Sequence, residues 1–127
     1  MTSGKRQGMN DTGYRKLILY QKAHKLVLAV YTATKKFPRD ELFGLTSQMR
    51  RSAVSVVANI IEGYGRRTVN DKLQFHYIAR GSLNELEYYI DLSLDLGYCS
   101  TTDHQTVSQL RDEVGKLLYR FMQSIAK

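Results

Sequence analysis

A chain of 127 residues, 43% of them hydrophobic, has the length of one domain and enough apolar material for a core. Nineteen Lys and Arg against twelve Asp and Glu give a formal charge of +7, which admits a polyanion partner as well as plain solubility. Composition excludes a transmembrane helix, since no apolar run approaches about 18 residues; it excludes a secretory signal, since MTSGKRQGMNDTG has no apolar segment, and an internal disulfide, since Cys99 is the single cysteine.

A lone thiol suits the reducing cytoplasm, where the chain is expected to act, and Cys99 is expected to be inert. Residues 1–13, with Lys5 and Arg6, are small and polar and read as a disordered tail, leaving 14–127 as the domain. Tyr14 to Leu19 leads into a first helix whose seam is Ala23, Leu26, Val30, Ala33 and Phe37, and which ends before Pro38. The connection PRDELFG offers Leu42 and Phe43 as plugs over the end of a helical core. A second helix runs from Thr46, its expected N-cap, to about Glu62, with Met49, Ala53, Val56, Ile60 and Gly63 on one face. Gly63 and Gly65 are expected to stop it through a left-handed turn. A basic loop, Tyr64 to Arg67, follows.

Thr68 is placed to cap a third helix, Asp71 to favour its N-terminus, and Gly97 to close it after about Leu96. Phe75, Ala79, Leu83, Leu86, Ile90 and Leu94 form the seam, and Gly81 and Ser82 are small enough for a neighbouring helix to come close. Thr102 and Gln105 read as the capping box of a fourth helix, with Val107, Leu110, Val114, Leu117, Phe121 and Ile125 as its stripe. Four amphipathic segments joined by short connections predict an all-α, antiparallel up-down-up-down four-helix bundle.

The runs LTSQMRRSAVSVVANIIEGYGRR and FHYIARGSLNELEYYIDLSLDLGY, with the opening LILYQKAHKLVLAVY, resemble the four-helix-bundle family encoded in intervening sequences of bacterial 23S rRNA genes. The resemblance spans about residues 14 to 122, with Tyr20 standing where that family leads one to expect tryptophan. It implies a bundle fold and a gene context tied to rRNA, and it assigns no reaction. A more distant likeness of fold is to the accessory variability determinant of diversity-generating retroelements, a pentameric barrel that binds nucleic acid and a reverse transcriptase. That likeness implies a homopentamer and carries function only by analogy.

Polar residues threaded among the apolar ones read as a hydrogen-bonded layer between helices rather than as catalytic groups: Arg51, Asn59 and Glu62 on the second helix, Arg80, Ser82 and Glu85 on the third, with Gln48, Ser52 and Ser55 beside them. Within that layer Arg80 or Arg51 is expected to neutralise Glu62 or Glu85, because a buried carboxylate needs a partner. No metal, cofactor or catalytic residue is expected. His24, His76 and His104 fall on different helices without Glu-x-x-His pairs, the serines lie inside helices, and GYGRR lacks the strand and lysine of a phosphate loop.

An up-down-up-down path gathers Arg15, Lys16, Lys22, Lys25, Arg66, Arg67, Lys72 and Arg120 toward one end, against Glu62 and Asp71. Lys127 belongs there too. The other end mixes Lys35, Lys36, Arg39, Arg50 and Arg51 with five acids. A basic pole suits phosphate contacts without sequence reading, by RNA or DNA. Tyr14, Tyr20, Tyr64 and Tyr77 near it are either stacking platforms or core edges. Tyr31, Val54, Val57, Ile61, Tyr88, Tyr89 and Leu92 lie off the main seams and point to self-association under closed symmetry. The two functional readings are therefore a non-enzymatic nucleic-acid binder and an oligomeric protein-interaction scaffold or adaptor with no direct nucleic-acid role.

Overall fold

The computed structural model describes residues 13–127. The tail read from the sequence, with Lys5 and Arg6, lies outside the described residues but for Gly13. That glycine opens a short 3-10 helix, Gly13–Lys16, ahead of four α-helices: α1 Ile18–Thr34, α2 Leu45–Gly65, α3 Val69–Asp95 and α4 Thr101–Ala126. Each helix packs on two others in the cyclic order α1, α2, α3, α4, like the corners of a square. The cross-helix pairs run in opposite sequence directions: Lys72 meets Tyr64, Ser82 meets Ser55 and Ser93 meets Met49, as an antiparallel bundle requires. No strand occurs among the described residues.

The core is one continuous file of aliphatic side chains. Leu26, Val30, Met49, Val56, Ile60, Leu83, Leu86, Ile90, Val114 and Leu118 are all fully buried. Two stripes differ from their sequence reading. On α4 the buried positions are Val107, Val114, Leu118 and Met122, so the stripe lies one residue beyond Leu117 and Phe121 in its second half, and those two are only half-buried. On α3 the buried residue of the early turns is His76, not Phe75. Leu42 and Phe43 do not plug the bundle end: Phe43 is 92% exposed, and Phe37, packed on Tyr98 at 5.7 Å, fills that place instead.

The helix boundaries show which local chemistry wins. Thr68 caps α3 as its spacing predicts, its hydroxyl accepting from the Asp71 amide at 3.1 Å. α1 ends at Thr34, short of Pro38, where the threonine hydroxyl donates back to the Val30 carbonyl at 2.8 Å and the chain turns through Lys35 to Phe37. At α2 the expected Thr46 cap is replaced. Thr46 is buried, and the Glu41 carboxylate accepts from the Leu45 amide at 3.1 Å while its other oxygen takes the Tyr98 hydroxyl at 2.9 Å. At α4 Ser100, not Thr102, is the cap, accepting from the Asp103 amide at 3.0 Å, so Thr102 and Gln105 are already inside the helix.

The glycines also sort themselves. Gly97 closes α3 with φ of +78°, as expected. Gly63 and Gly65 do not turn the chain: neither has positive φ, and α2 runs through both. Gly63 is instead buried where α3 lies close against α2. Gly81 faces open space, so it is Ser82 alone that sits between helices.

Candidate nucleic-acid interface

The polar layer between α2 and α3 is built of hydroxyls and an amide. The Ser82 hydroxyl donates to Ser55 Oγ at 2.9 Å, the Ser52 hydroxyl donates to the Ser82 carbonyl at 3.3 Å, and Asn59 Nδ2 donates to the Ser55 carbonyl at 2.8 Å. Each such bond contributes on the order of 1 kcal/mol. The charged members of the expected layer are elsewhere. Arg51, Glu62, Arg80 and Glu85 are all exposed, and no arginine of the pair neutralises Glu85 or, across the bundle, Glu62. Glu62 pairs along its own helix with Arg66 at 2.8 Å, and the Arg80 guanidinium lies over the Tyr77 ring at 5.0 Å. Short hydroxyls complete their bonds within the close α2–α3 contact, where two charged groups would have to give up their water.

Of the eight cations read as a basic pole, Lys22 and Arg66 meet carboxylates, Lys22 at 3.2 Å from Glu113 and Arg66 at 2.8 Å from Glu62. Both pairs are solvent-accessible and weak, about 0.2–1 kcal/mol. Lys16, Lys25, Arg67 and Arg120 are exposed and have no carboxylate partner among the described residues. Lys72 donates to the Tyr64 carbonyl at 2.9 Å, so it braces the α2–α3 turn and keeps its charge beside Arg66 and Arg67. Arg15 is half-buried, with its guanidinium 5.0 Å from the Tyr14 ring. The tyrosines divide. Tyr14 and Tyr20 pack edge to face at 5.1 Å as parts of the fold, whereas Tyr64 and Tyr77 are exposed. At the opposite end Lys36 pairs with Asp103 at 3.0 Å and His104 with Asp91 at 2.8 Å, while Arg50 donates to the Thr34 hydroxyl at 2.9 Å and Lys35, Arg39 and Arg51 have no carboxylate partner among the described residues, so unpaired cations occur at both ends.

One feature needs two helices to exist and is absent from the linear pattern. An open groove of about 770 Å³ between α3 and α4 is lined by Arg80, Arg111, Lys116, Tyr119 and Arg120, with Asp112 as its one carboxylate. The available signal was the spacing of Lys116 and Arg120, four apart on α4 with Tyr119 between them. Among the described residues no group of three or more His, Cys, Asp or Glu is placed to hold a metal ion, and no helix is long and apolar enough to cross a membrane. Cys99 is buried, and burial, reinforced by Asp103 and opposed by Lys36, raises its thiol pKa and so keeps it protonated.

A family model described as 23S rRNA-intervening sequence protein matches residues 15–120, most of the chain. Among solved structures, a protein of unknown function from the S23 ribosomal protein family of Bacteroides thetaiotaomicron superposes with a TM-score of 0.77. At 22% identity over 84% of this chain and 96% of that one, it is a likeness of fold. No curated protein matches the chain.

Proposed function

The chain belongs to the family of 23S rRNA-intervening sequence proteins, and from that premise we propose that it is a non-enzymatic, cytoplasmic nucleic-acid-binding bundle that grips phosphate backbone with its basic pole. The observation that carries the reading is the α2–α3 turn. Arg66 and Arg67 stand on an exposed three-residue connection with Lys72 braced behind them; Arg67 has no carboxylate partner among the described residues, and Arg66 is held by the solvent-accessible Glu62 carboxylate and the Phe75 ring at 4.6 Å. Such a turn supplies a dense positive field without a donor pattern suited to particular bases, so the ligand class is structured RNA or duplex backbone with weak sequence preference. The test is fluorescence anisotropy on an RNA hairpin. Affinity should fall with log[salt] by roughly 0.7 to 0.9 per neutralised phosphate, and Arg66→Glu with Arg67→Glu should weaken binding about tenfold. Binding that ignores salt, or that is undetectable on both RNA and DNA, overturns the reading.

The exposed apolar side chains support self-association as its companion. Val57, Tyr89 and Leu92 pack against their own chain's core and need no partner, but Tyr31, Val54 and Tyr88 remain exposed, as do Ile18, Leu28 and Phe43. A closed ring of five, the state implied by the resemblance to the barrel-forming relatives, would cover such surfaces and multiply weak phosphate contacts. Light scattering at micromolar concentration should therefore return a mass near five chains, and a monomer refutes the ring. The alternative, an oligomeric adaptor, is favoured if protein partners survive nuclease treatment while no nucleic acid binds.

A further inference from the structure

We propose that the groove between α3 and α4 is a second nucleic-acid site, continuous with the pole at Arg120, that takes a single strand, with phosphates on Arg80, Lys116 and Arg120 and an unpaired base on Tyr119. This inference rests on the nucleic-acid reading above and adds to it the kind of strand and the path it follows.

The charge in the groove is surplus to folding. Arg111 is the structural member: only 15% of its side chain is exposed, it donates to the Leu83 carbonyl at 3.3 Å, and it pairs with Asp112 at 3.0 Å and Glu87 at 3.6 Å. It ties α4 to α3 and consumes the one carboxylate of the lining. Arg80, Lys116 and Arg120 are left exposed without an acidic partner among the described residues. Lys116 and Arg120 are also helical neighbours four residues apart, a like-charge arrangement that weakens an isolated helix. Their separation along the axis is about 6 Å, the scale of one phosphate-to-phosphate step in an extended strand.

The aromatic component points to unpaired bases. Tyr119 is 57% exposed, and its hydroxyl accepts from Gln123 Nε2 at 2.8 Å, which steadies a large ring on the groove wall. A duplex keeps its base faces stacked on one another, so this ring has a partner only in a single strand. The groove floor adds an independent sign. Gly115 sits inside α4, where glycine is unfavourable, yet a Cβ there would meet nothing closer than Arg111 Nη2 at 3.9 Å. The protein's own packing does not require that glycine, which leaves the helix backbone bare where the groove could admit a strand.

The experiment measures binding of the full-length protein to a labelled oligouridylate and to an RNA duplex of equal length, with circular dichroism melts confirming that each variant folds. Arg80→Glu with Lys116→Glu should weaken the single strand at least tenfold and the duplex less than threefold. Tyr119→Ala should cost the single strand about fivefold and Tyr119→Phe, which keeps the ring and loses only the Gln123 bond, less than twofold. Gly115→Leu, which alters no charge, should hold or raise the melting temperature and still lose single-strand affinity. Wild-type oligouridylate binding by the groove variants, or equal losses on both probes, overturns the groove while Arg66→Glu with Arg67→Glu still reports on the pole. If the pole variant alone is silent on the duplex, the pole reading falls and the groove stands. Displacement of the oligouridylate by polyglutamate at matched charge would reassign the groove to acidic protein segments and overturn the proposal.

Discussion

Leucine in place of Gly63 is expected to cost the fold about 3 kcal/mol or more, lowering the melting temperature by roughly 10 °C. Even a Cβ at this position would lie 2.8 Å from His76 Cε1, 3.0 Å from His76 Nε2 and 3.0 Å from the Lys72 carbonyl oxygen. One of these neighbours is backbone. The other is a fully buried ring held edge-on against Phe121 at 5.4 Å, with nowhere to swing. The helices must therefore separate, and separating them loosens the Ser52–Ser82–Ser55 contacts further along the same α2–α3 face. Alanine alone should cost about 1–3 kcal/mol. Gly65, two residues on, has nothing within 4 Å of a built Cβ, so Gly65→Ala should be neutral or slightly stabilising. Urea unfolding followed by circular dichroism separates the two. Equal midpoints for Gly63→Ala and wild type would mean that the α2–α3 approach is not set by this residue.

Gly63 also marks where the sequence stops being legible. Helix number, order and direction follow from apolar spacing and short connections, because a period near 3.6 and a three-residue turn leave few alternatives. The Thr68 cap is equally local and reads correctly. Gly63 does not, since a glycine that ends a helix and a glycine that admits a neighbouring helix look alike until the neighbour is in place. The caps of α2 and α4 fail for a related reason. Glu41 reaches the Leu45 amide from an earlier turn and binds Tyr98 with its other oxygen, a tertiary contact that overrides the nearer threonine. In the polar layer the serines lie in the α2–α3 contact and Asn59 holds Ser55 from its own helix, while Arg51, Glu62, Arg80 and Glu85 lie in solvent. Arg80 consequently belongs with Lys116 and Arg120 across the groove, a grouping that only the packing of α3 on α4 creates.

The buried histidine gives the bundle a pH dependence of its own. His76 has no exposed surface, and neither ring nitrogen has a hydrogen-bond partner among the described residues. Desolvation, and secondarily the Lys72 charge one turn away, lowers its pKa below the ordinary 6.5. The sign follows directly. Above pH 6.5 the ring is neutral in both the folded and the unfolded chain, and the full stability is present. Below it the unfolded chain takes up a proton that the native protein refuses, so stability falls as pH falls, by up to about 1.4 kcal/mol per pH unit until the folded pKa is reached. Urea midpoints should accordingly drop between pH 6.5 and 5, above the range where ordinary carboxylates titrate. His76→Leu, which removes the titrating ring and its two unpaired nitrogens while keeping an apolar contact with Phe121, should flatten that segment of the profile whatever it does to stability at pH 7. A variant that retained the wild-type acid slope would assign the effect to another group.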